Sequence, residues 1–186
     1  FRAAALNRVL RGMAARRPVR GVCIVGFGAG HSSLLALQSA PTADVYVYDT
    51  ALDRHVLSAH DILDSNFPGR LHLMAGDSAV LLPRHAELAT APCDVLYIDG
   101  DKTGEGVAAD LAAARVAARK GDHVLILAGG GANTPGRGAW AAAEAAGRLV
   151  WDSTVSEAPT VADTDALLLG RLVGDDVGAA FPPTSE

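Results

Sequence analysis

Short apolar runs alternate with helix-like segments along nearly the whole chain, and this alternation constrains the fold more than any other feature. Five runs rich in β-branched residues are predicted strands, at 22–25, 45–48, 71–74, 95–98 and 124–127. Helical spacing of apolar residues is found between them, at 31–40, 52–64, 78–90 and 105–119. Continuously apolar strands are typical of a parallel sheet that is buried on both faces. The sequence therefore predicts an α/β fold, a Rossmann-like doubly wound sheet with helices on both faces.

The C-terminal third of the chain departs from this regular alternation. A glycine-rich loop, AGGGANTPGRG, precedes an alanine-rich helix near 137–147. Two further strand candidates, RLVWDSTVS and DALLLGRLV, are joined by a connection too short to hold a crossover helix, so we expect an antiparallel hairpin. We expect a single domain over residues 1–173 and a flexible tail at 174–186.

Composition excludes several classes of protein. The chain has 186 residues, of which 49% are hydrophobic, and a formal net charge of −5, which argues against a nucleic-acid partner. No apolar run approaches the roughly 20 residues that span a bilayer, so we expect no membrane partner and a cytoplasmic location. The first twenty residues hold six arginines and no acid, as in a transit peptide. We favour an ordinary helix, with its apolar face formed by Leu6, Val9, Leu10 and Met13.

Cysteine and histidine do not suggest a metal centre. Cys23 and Cys93 lie in apolar runs and are expected to be buried, reduced thiols. No two of the six histidines have the i, i+4 spacing that places two ligands on one helix face. A surface or capping role is therefore expected for each of them: His31, His55, His60, His72, His85 and His123.

The stretch VCIVGFGAGHSSLLAL, residues 22–37, places three glycines at the end of the first predicted strand. Gly26, Gly28 and Gly30 allow a tight turn and a close approach of the backbone to a ligand. The helix that follows offers unpaired amides and a positive dipole end to an anionic group. A dinucleotide fingerprint, G-x-G-x-x-G, would require glycine where His31 stands, which disfavours a nucleotide-dependent oxidoreductase.

Acidic residues follow three consecutive predicted strands. Asp49 ends the second strand, Asp77 and Ser78 follow the third, and Asp99 follows the fourth. Taken singly, each acid is equally well explained as a helix cap or a solvated loop residue. Because the carboxyl ends of parallel strands share one edge of the sheet, the set together predicts a ligand site at that edge.

With these residues in view, the chain from about 20 to 173 resembles class I S-adenosylmethionine-dependent methyltransferases. It is most similar to small-molecule O-methyltransferases of the caffeoyl-coenzyme A and catechol type and their bacterial relatives. GAGHSSLLAL resembles the glycine loop of that family, and CDVLYIDGDK resembles its D-x-x-F-x-D-A-D-K stretch. The resemblance implies the sheet order 3-2-1-4-5-7-6, S-adenosylmethionine as cofactor, and a small-molecule acceptor.

The resemblance also implies a role for each matched residue. Gly26, Phe27, Gly28 and Gly30 would form the cofactor loop, Ser32 would hold the cofactor carboxylate, and Asp49 the ribose. Asp77 and Ser78 would flank the adenine. Asp99 would lie near both cofactor and acceptor, at the position of a metal ligand, and Lys102 would help to deprotonate the acceptor hydroxyl. A solvated lysine at a helix N-terminus is an equally open interpretation of Lys102.

Three positions depart from the family pattern. Ile24 replaces an acid that usually precedes the glycine loop, and Ala128 and Gly129 replace acidic metal ligands after the fifth strand. Asp99 alone, even helped by Asp101 or Asn133, is a poor cage for an oxygen-seeking cation, so we expect no divalent metal. Two functions stay open: metal-independent methyl transfer to a small-molecule hydroxyl, and a degenerate methyltransferase-like domain that serves as a structural or binding subunit. A homodimer and a larger assembly are both compatible with the sequence.

Overall fold

The computed structural model describes residues 2–50, 53–121, 123–151 and 167–178, and within them the chain forms a seven-stranded sheet. The strands are β1 (Gly21–Val25), β2 (Asp44–Asp49), β3 (Leu71–Ala75), β4 (Val95–Ile98), β5 (Val124–Ala128), β6 (Leu149–Trp151) and β7 (Leu167–Leu172). Their order across the sheet is β3-β2-β1-β4-β5-β7-β6.

The sheet is parallel from β3 to β5 and antiparallel at its C-terminal edge. β1 pairs in parallel with both β2 and β4, whereas β7 runs antiparallel to both β5 and β6. This confirms the predicted order and the predicted hairpin of the last two strands. The connection between those strands, 152–166, lies outside the described residues.

Helices cover both faces of the sheet, and one predicted helix is interrupted. The long helices are α1 (Arg2–Ala14), α2 (His31–Ser39), α3 (Arg54–Asn66), α6 (Gly104–Ala117) and α7 (Pro135–Ala145). The segment predicted as one helix at 78–90 consists instead of α4 (Ser78–Leu81), a 3₁₀ turn (Leu82–Arg84) and α5 (His85–Leu88). Pro83 lies in that turn; proline cannot donate the helical hydrogen bond and clashes with the preceding turn, which explains the interruption.

Alternate side chains of each central strand enter two separate cores. In β1, Val22 and Ile24 belong to one core and Cys23 and Val25 to the other. The apolar residues of α1 that the sequence places on one face are all buried in the first core: Leu6, Val9, Leu10 and Met13. Trp140 of α7 is fully buried in the second core. In the part of the chain that the structure describes, no helix is both long and apolar enough to cross a bilayer.

Cys23 and Cys93 form a disulfide, so the prediction of reduced thiols is wrong. Cys23 lies in β1 and Cys93 stands two residues before β4, the strand next to β1. Their Cα atoms are 5.6 Å apart, within the range that a disulfide bridges. Both residues are buried, as expected.

Asp94 anchors the amino-terminal edge of the sheet, opposite to the glycine loop. The residue is fully buried, and its Oδ2 accepts hydrogen bonds from the backbone N–H groups of Arg20 (2.6 Å) and Gly21 (3.1 Å). Its Oδ1 accepts from Arg17 Nη1 at 2.8 Å and from Arg119 Nε. Four donors thus satisfy one buried carboxylate, which joins the residues before β1 to those after α6.

The first residues of the segment assigned by composition to a flexible tail are packed against the domain. Val177 is buried, and the N–H of Gly178 donates to Arg115 O at 2.8 Å. Arg115 Nε donates to Asp176 Oδ2 at 2.8 Å, while its Nη1 donates to Arg148 O at 2.7 Å. The bonds to Arg115 thus tie Asp176 and Gly178 to α6. The remainder of the predicted tail, 179–186, lies outside the described residues.

Candidate functional site

A cavity of about 1060 Å³ lies at the carboxyl ends of the central strands. Eight of the ten predicted site residues line it: Gly26, Phe27, Gly28, Ser32, Asp49, Asp77, Ser78 and Asp99. Gly30 and Lys102 are not among the described lining residues. The sheet order explains the convergence, because the ends of β1, β2, β3 and β4 meet at one edge.

The three loop glycines serve different purposes. All three have positive φ, which disfavours any other residue. A Cβ on Gly26 would lie 2.7 Å from Asp99 O, and one on Gly30 would lie 2.9 Å from Leu63 Cδ1. A Cβ on Gly28 would meet no atom within 4 Å. Gly26 and Gly30 are therefore required by packing, whereas Gly28 leaves the cavity side of the loop open.

Asp49 holds the glycine loop in place. Its Oδ2 accepts a hydrogen bond of 2.6 Å from the backbone N–H of Phe27, and the Phe27 ring is buried in the core. Since Asp49 ends β2 and Phe27 follows β1, this bond ties the loop to the neighbouring strand. The half-buried carboxylate of Asp49 thereby lines the cavity at a fixed distance from the loop backbone.

The loop leads directly into α2. Gly30, the N-cap residue of α2, is in the left-handed conformation and has no side chain with which to cap the helix. His31 and Ser32, in the first turn, line the cavity; His31 is exposed, as predicted, and Ser32 is half-buried. The positive end of the α2 dipole and the Ser32 hydroxyl are thus available on the cavity side.

Asp77 and Ser78 lie where β3 gives way to α4, and they make different contacts. The exposed carboxylate of Asp77 accepts a hydrogen bond from the N–H of Ala79 at 2.9 Å, so it also has the capping role that the sequence left open. The Ser78 hydroxyl donates to Asp110 Oδ1 at 2.5 Å. Asp110 lies in α6 and lines the same cavity.

Asp110 is a site residue that the sequence analysis missed. Only 3% of its surface is exposed, and its buried Oδ2 has no hydrogen-bond partner among the described residues. Burial raises the pKa of Asp110, and the nearby Asp77 and Asp101 raise it further. The hydrogen bond from Ser78 opposes this shift. A helical pattern that includes a single acid among Val107, Leu111 and Ala114 is the sequence signal for such a buried carboxyl.

We expect Asp110→Asn to raise the melting temperature at pH 7, with a gain that shrinks as the pH falls toward 4. Because the pKa of Asp110 is higher in the folded state, the folded state binds the proton more tightly. The Asp110 carboxyl therefore lowers the free energy of unfolding as the pH rises from 4 to 7, and asparagine, which does not ionise, removes this loss. Thermal unfolding followed by circular dichroism across this range measures the effect.

Asp101→Asn is the matched control with the opposite sign. Hydrogen bonds from the Thr103 N–H and hydroxyl lower the pKa of Asp101, so its ionised form stabilises the fold above that pKa. Asp101→Asn should not raise the melting temperature at pH 7. The measured quantity is the melting temperature of Asp110→Asn minus that of the native chain. A smaller difference at pH 7 than at pH 4 would contradict the expected effect of burial.

Asp99 follows β4 and is paired with Lys102. Asp99 Oδ1 accepts from Lys102 Nζ, and its Oδ2 lies 3.5 Å from the Tyr97 hydroxyl. The Asp99 side chain is 24% exposed and that of Lys102 is 53% exposed. Asp99 lines the cavity, and its carboxylate pairs with the more exposed Lys102.

The positions that depart from the family pattern are filled by packing residues. Ile24 is fully buried in the core beneath the sheet and does not line the cavity. β5 ends in the buried Ala128, and Gly129 follows with a φ of 81°. Neither residue brings a carboxylate to the edge of the sheet.

His85 and His123 are buried, so the expectation of surface roles for them is wrong. His85 Nδ1 lies 2.5 Å from the Tyr48 hydroxyl, and Nε2 lies 2.9 Å from Ala91 O. Burial lowers the pKa of His85 to about 4, so the ring is neutral at pH 7. Since a carbonyl only accepts, Nε2 carries the hydrogen and Tyr48 donates to Nδ1. His123 Nδ1 lies 2.8 Å from Arg119 O, and its Nε2 accepts from Leu172 N.

His85 also lies next to the disulfide. Its Nε2 is 3.7 Å from Cys23 Sγ, and the three side chains Cys23, His85 and Cys93 are the one group of possible metal ligands that come together among the described residues. Both sulfur atoms are bonded to each other, and Nε2 donates to Ala91 O. The group therefore offers no basic ligand atom to a metal in this state.

Comparison with known proteins agrees with this geometry. A family described as "Methyltransferase domain" matches residues 24–126, which is more than half of the chain. The fold is similar to that of an O-methyltransferase from Bacillus cereus in complex with SAH, with a TM-score of 0.65 and 18% identity over 90% of this chain and 80% of that chain.

Two further structures have the same fold. Cofactor-bound Rv0187 from MTB gives a TM-score of 0.69 and 22% identity, over 89% of this chain and 78% of that chain. The O-methyltransferase TomG from Streptomyces achromogenes, in complex with SAM, gives a TM-score of 0.66 and 19% identity, over 90% of this chain and 79% of that chain. At these low sequence identities, the similarity to the solved structures shows the fold and not the function. The matched segment, however, runs from β1 to β5 and includes the glycine loop and all three strand-end acids. The chain therefore belongs to the methyltransferase domain family.

Proposed function

We propose that this protein transfers a methyl group from S-adenosylmethionine to a hydroxyl group of a small molecule. The observation that carries the proposal is the cavity at the edge of the sheet, where the open glycine loop meets the acids after β2, β3 and β4. The similar structures include O-methyltransferases in complex with SAH and with SAM, which supports the proposal.

The residues present fit such a cofactor. A side chain at Gly28 would project into open space at the loop, so glycine there keeps room for a ligand. The uncapped start of α2 and the Ser32 hydroxyl suit the carboxylate of the cofactor. Asp49 is suited to accept hydrogen bonds from the ribose hydroxyls, and Asp77 and Ser78 are suited to flank the adenine.

When bound, S-adenosylmethionine supplies a methyl group on a positively charged sulfur, which makes that group reactive toward an oxygen nucleophile. The chain's contribution is to align the acceptor and remove its proton. We assign the acceptance of that proton to Asp99, because this residue lines the cavity. In this proposal Lys102, which pairs with Asp99, assists the deprotonation of the acceptor hydroxyl through that carboxylate. We include no divalent metal, because β5 ends at Ala128 and Gly129 follows it, and neither residue carries a side-chain metal ligand.

Asp49→Ala is expected to weaken binding of S-adenosylmethionine and its demethylated product by about 1.5–3 kcal/mol, the loss typical of hydrogen bonds to a charged group. We expect the native chain to bind at micromolar level, near −8 kcal/mol. Isothermal titration calorimetry measures both values. Asp61→Ala, an exposed acid on α3, is the matched control and should bind like the native chain. Equal affinities for the two variants would place the ribose elsewhere.

The alternative function is that of a degenerate domain that serves as a structural or binding subunit, alone or in an assembly. It is favoured by the buried Ile24 and by the absence of acids at Ala128 and Gly129. The two proposals differ in turnover. Transfer of a labelled methyl group from S-adenosylmethionine to a panel of phenols and catechols, abolished by Asp99→Asn, would support the enzyme. Cofactor binding without transfer to any acceptor would support the subunit.

A further inference from the structure

The cluster of Cys23, His85 and Cys93 has the spacing of a zinc site. All three side chains are buried, and their ligand atoms lie within 4.8 Å of one another. Cys23 Sγ lies 3.7 Å from His85 Nε2. A tetrahedral zinc ion, with bonds of about 2.3 Å to sulfur and about 2.0 Å to nitrogen, holds these two atoms roughly 3.5 Å apart. The sulfur and the nitrogen therefore already stand at nearly the separation that zinc requires.

The disulfide closes this cluster to a metal, and reduction opens it. A phosphine gives two electrons to the disulfide and takes up the oxygen of a water molecule. The S–S bond breaks, each sulfur gains one of the two water protons, and the phosphine leaves as its oxide. A dithiol of a reducing compartment gives the same two thiols by exchange. A zinc ion then displaces both thiol protons and binds the two thiolates.

The backbone holds both cysteines in place without the disulfide. Cys23 lies inside β1, which is hydrogen-bonded to β2 on one side and to β4 on the other. The N–H of Cys93 donates to Ala117 O at 2.9 Å, and Cys93 O accepts from the N–H of Arg119 at 2.8 Å. Because these backbone bonds do not involve the sulfur atoms, reduction leaves the two thiols side by side.

The His85 ring is oriented by oxygen atoms at both of its nitrogens. Nδ1 lies 2.5 Å from the Tyr48 hydroxyl, and Nε2 lies 2.9 Å from Ala91 O. To bind a metal, Nε2 gives up its hydrogen, and Nδ1 takes one and donates it to the Tyr48 oxygen. Histidine ligands commonly donate their other ring N–H to a neighbouring acceptor in this way. Ala91 O, beside Nε2, is available as a fourth ligand.

We propose that the reduced chain binds one zinc ion through Cys23 Sγ, Cys93 Sγ and His85 Nε2. Two thiolates neutralise a divalent cation, so the loaded site adds no net charge to the core. Copper(I) with the same ligands would leave one negative charge buried, and magnesium and calcium require oxygen ligands. The three residues are not among the described lining residues of the strand-end cavity, so the assignment does not depend on methyl transfer.

The test loads zinc onto the native chain before and after reduction with a water-soluble phosphine. After gel filtration under nitrogen, elemental analysis should find one zinc ion per reduced chain and none per oxidised chain. X-ray absorption at zinc should show two sulfur atoms at about 2.3 Å and lighter ligands at about 2.0–2.1 Å. Zinc should also raise the urea midpoint of the reduced chain, because it binds the folded state, whereas magnesium should not.

His85→Gln removes the nitrogen ligand, and His123→Gln is the matched control. His123 is equally buried and has contacts at both ring nitrogens, but it is not part of the cluster. Loss of an outer partner of a ligand already costs about tenfold or more in metal affinity, so loss of the ligand itself should cost at least that. His123→Gln should keep the native affinity. Competition with a chromophoric chelator measures all three reduced proteins.

Three outcomes would overturn the assignment. The first is a reduced native chain that retains no zinc after gel filtration. The second is a zinc shell with fewer than two sulfur atoms, since the metal would then lie on other histidines or carboxylates. The third is an equal affinity of His85→Gln and His123→Gln for zinc. The absorption measurement uses the native chain alone, so it decides the question even where a variant does not fold.

Discussion

Replacement of both Cys23 and Cys93 by alanine is expected to lower the free energy of unfolding by about 4 kcal/mol. The disulfide joins residues separated by 70 positions, and the chain entropy that such a closed loop removes from the unfolded state corresponds to roughly this value. The bond links residues beside two adjacent central strands, β1 and β4, so its loss also loosens the packing of the second core.

Urea unfolding with and without dithiothreitol measures this contribution. The midpoint of the native chain should fall when the reductant is present, whereas the double-alanine variant should unfold at the same urea concentration in both conditions. The two treatments should give similar stabilities, because both remove the same covalent link. Detection of two free thiols in the native chain, unfolded without reductant, would contradict the prediction.

Asp94→Asn is expected to destabilise the fold by about 3–5 kcal/mol, the cost of removing one partner from a buried ion pair. The substitution removes the carboxylate charge with which the guanidinium groups of Arg17 and Arg119 pair. It also places an amide N–H₂ against backbone donors from Arg20 and Gly21. Because Asp94 is fully buried, salt should screen little of this loss.

The exposed pair Arg84–Glu87 provides the comparison. Its side chains are 56% and 61% exposed, so Glu87→Gln should change the free energy of unfolding by less than about 1 kcal/mol. Equilibrium unfolding in urea at low and high salt distinguishes the two sites. A loss for Asp94→Asn no larger than that for Glu87→Gln would show that the buried carboxylate contributes nothing to stability.

The sheet was predictable because each central strand is apolar along its whole length. Runs such as 22–25 and 124–127 can be buried only between two layers of helices, which sets the fold class. The predicted strand segments RLVWDSTVS and DALLLGRLV leave too few residues between them for a crossover helix, so the antiparallel hairpin was predictable for an equally local reason. The interruption at Pro83 was predictable in principle as well, since proline disrupts the interior of a helix.

Contacts between distant parts of the chain were harder to predict from the sequence. The disulfide depends on the register between β1 and β4, and register is not encoded in the apolar pattern of either strand. His85 resembles an ordinary polar residue of an amphipathic helix, and only the turn at Pro83 directs it toward Tyr48. His123 precedes a strand, where an exposed histidine is common, yet it accepts a hydrogen bond from β7.

The strand-end acids were predictable as a group because chain topology alone places them at one edge. Asp49, Asp77 and Asp99 indeed line one cavity. Their individual contacts were not predictable: Asp49 fastens the glycine loop, and Asp77 caps a short helix. Asp110 was missed because it lies in the middle of a helix, where acids are usually solvated. Its partner Ser78 is 32 residues away, and only the packing of α4 on α6 brings the two together.

The buried anchor at Asp94 and the cavity acid Asp99 stand at opposite ends of β4, separated by roughly 16 Å of extended chain. At such a distance, and without shared partners, substitutions contribute independently to the free energy. Cavity positions that do not pack the glycine loop can therefore diverge in sequence while the far edge keeps the scaffold intact. A library that randomises those positions can consequently be screened on this scaffold, provided that Gly26, Gly30, Asp49 and the four donors around Asp94 are left unaltered.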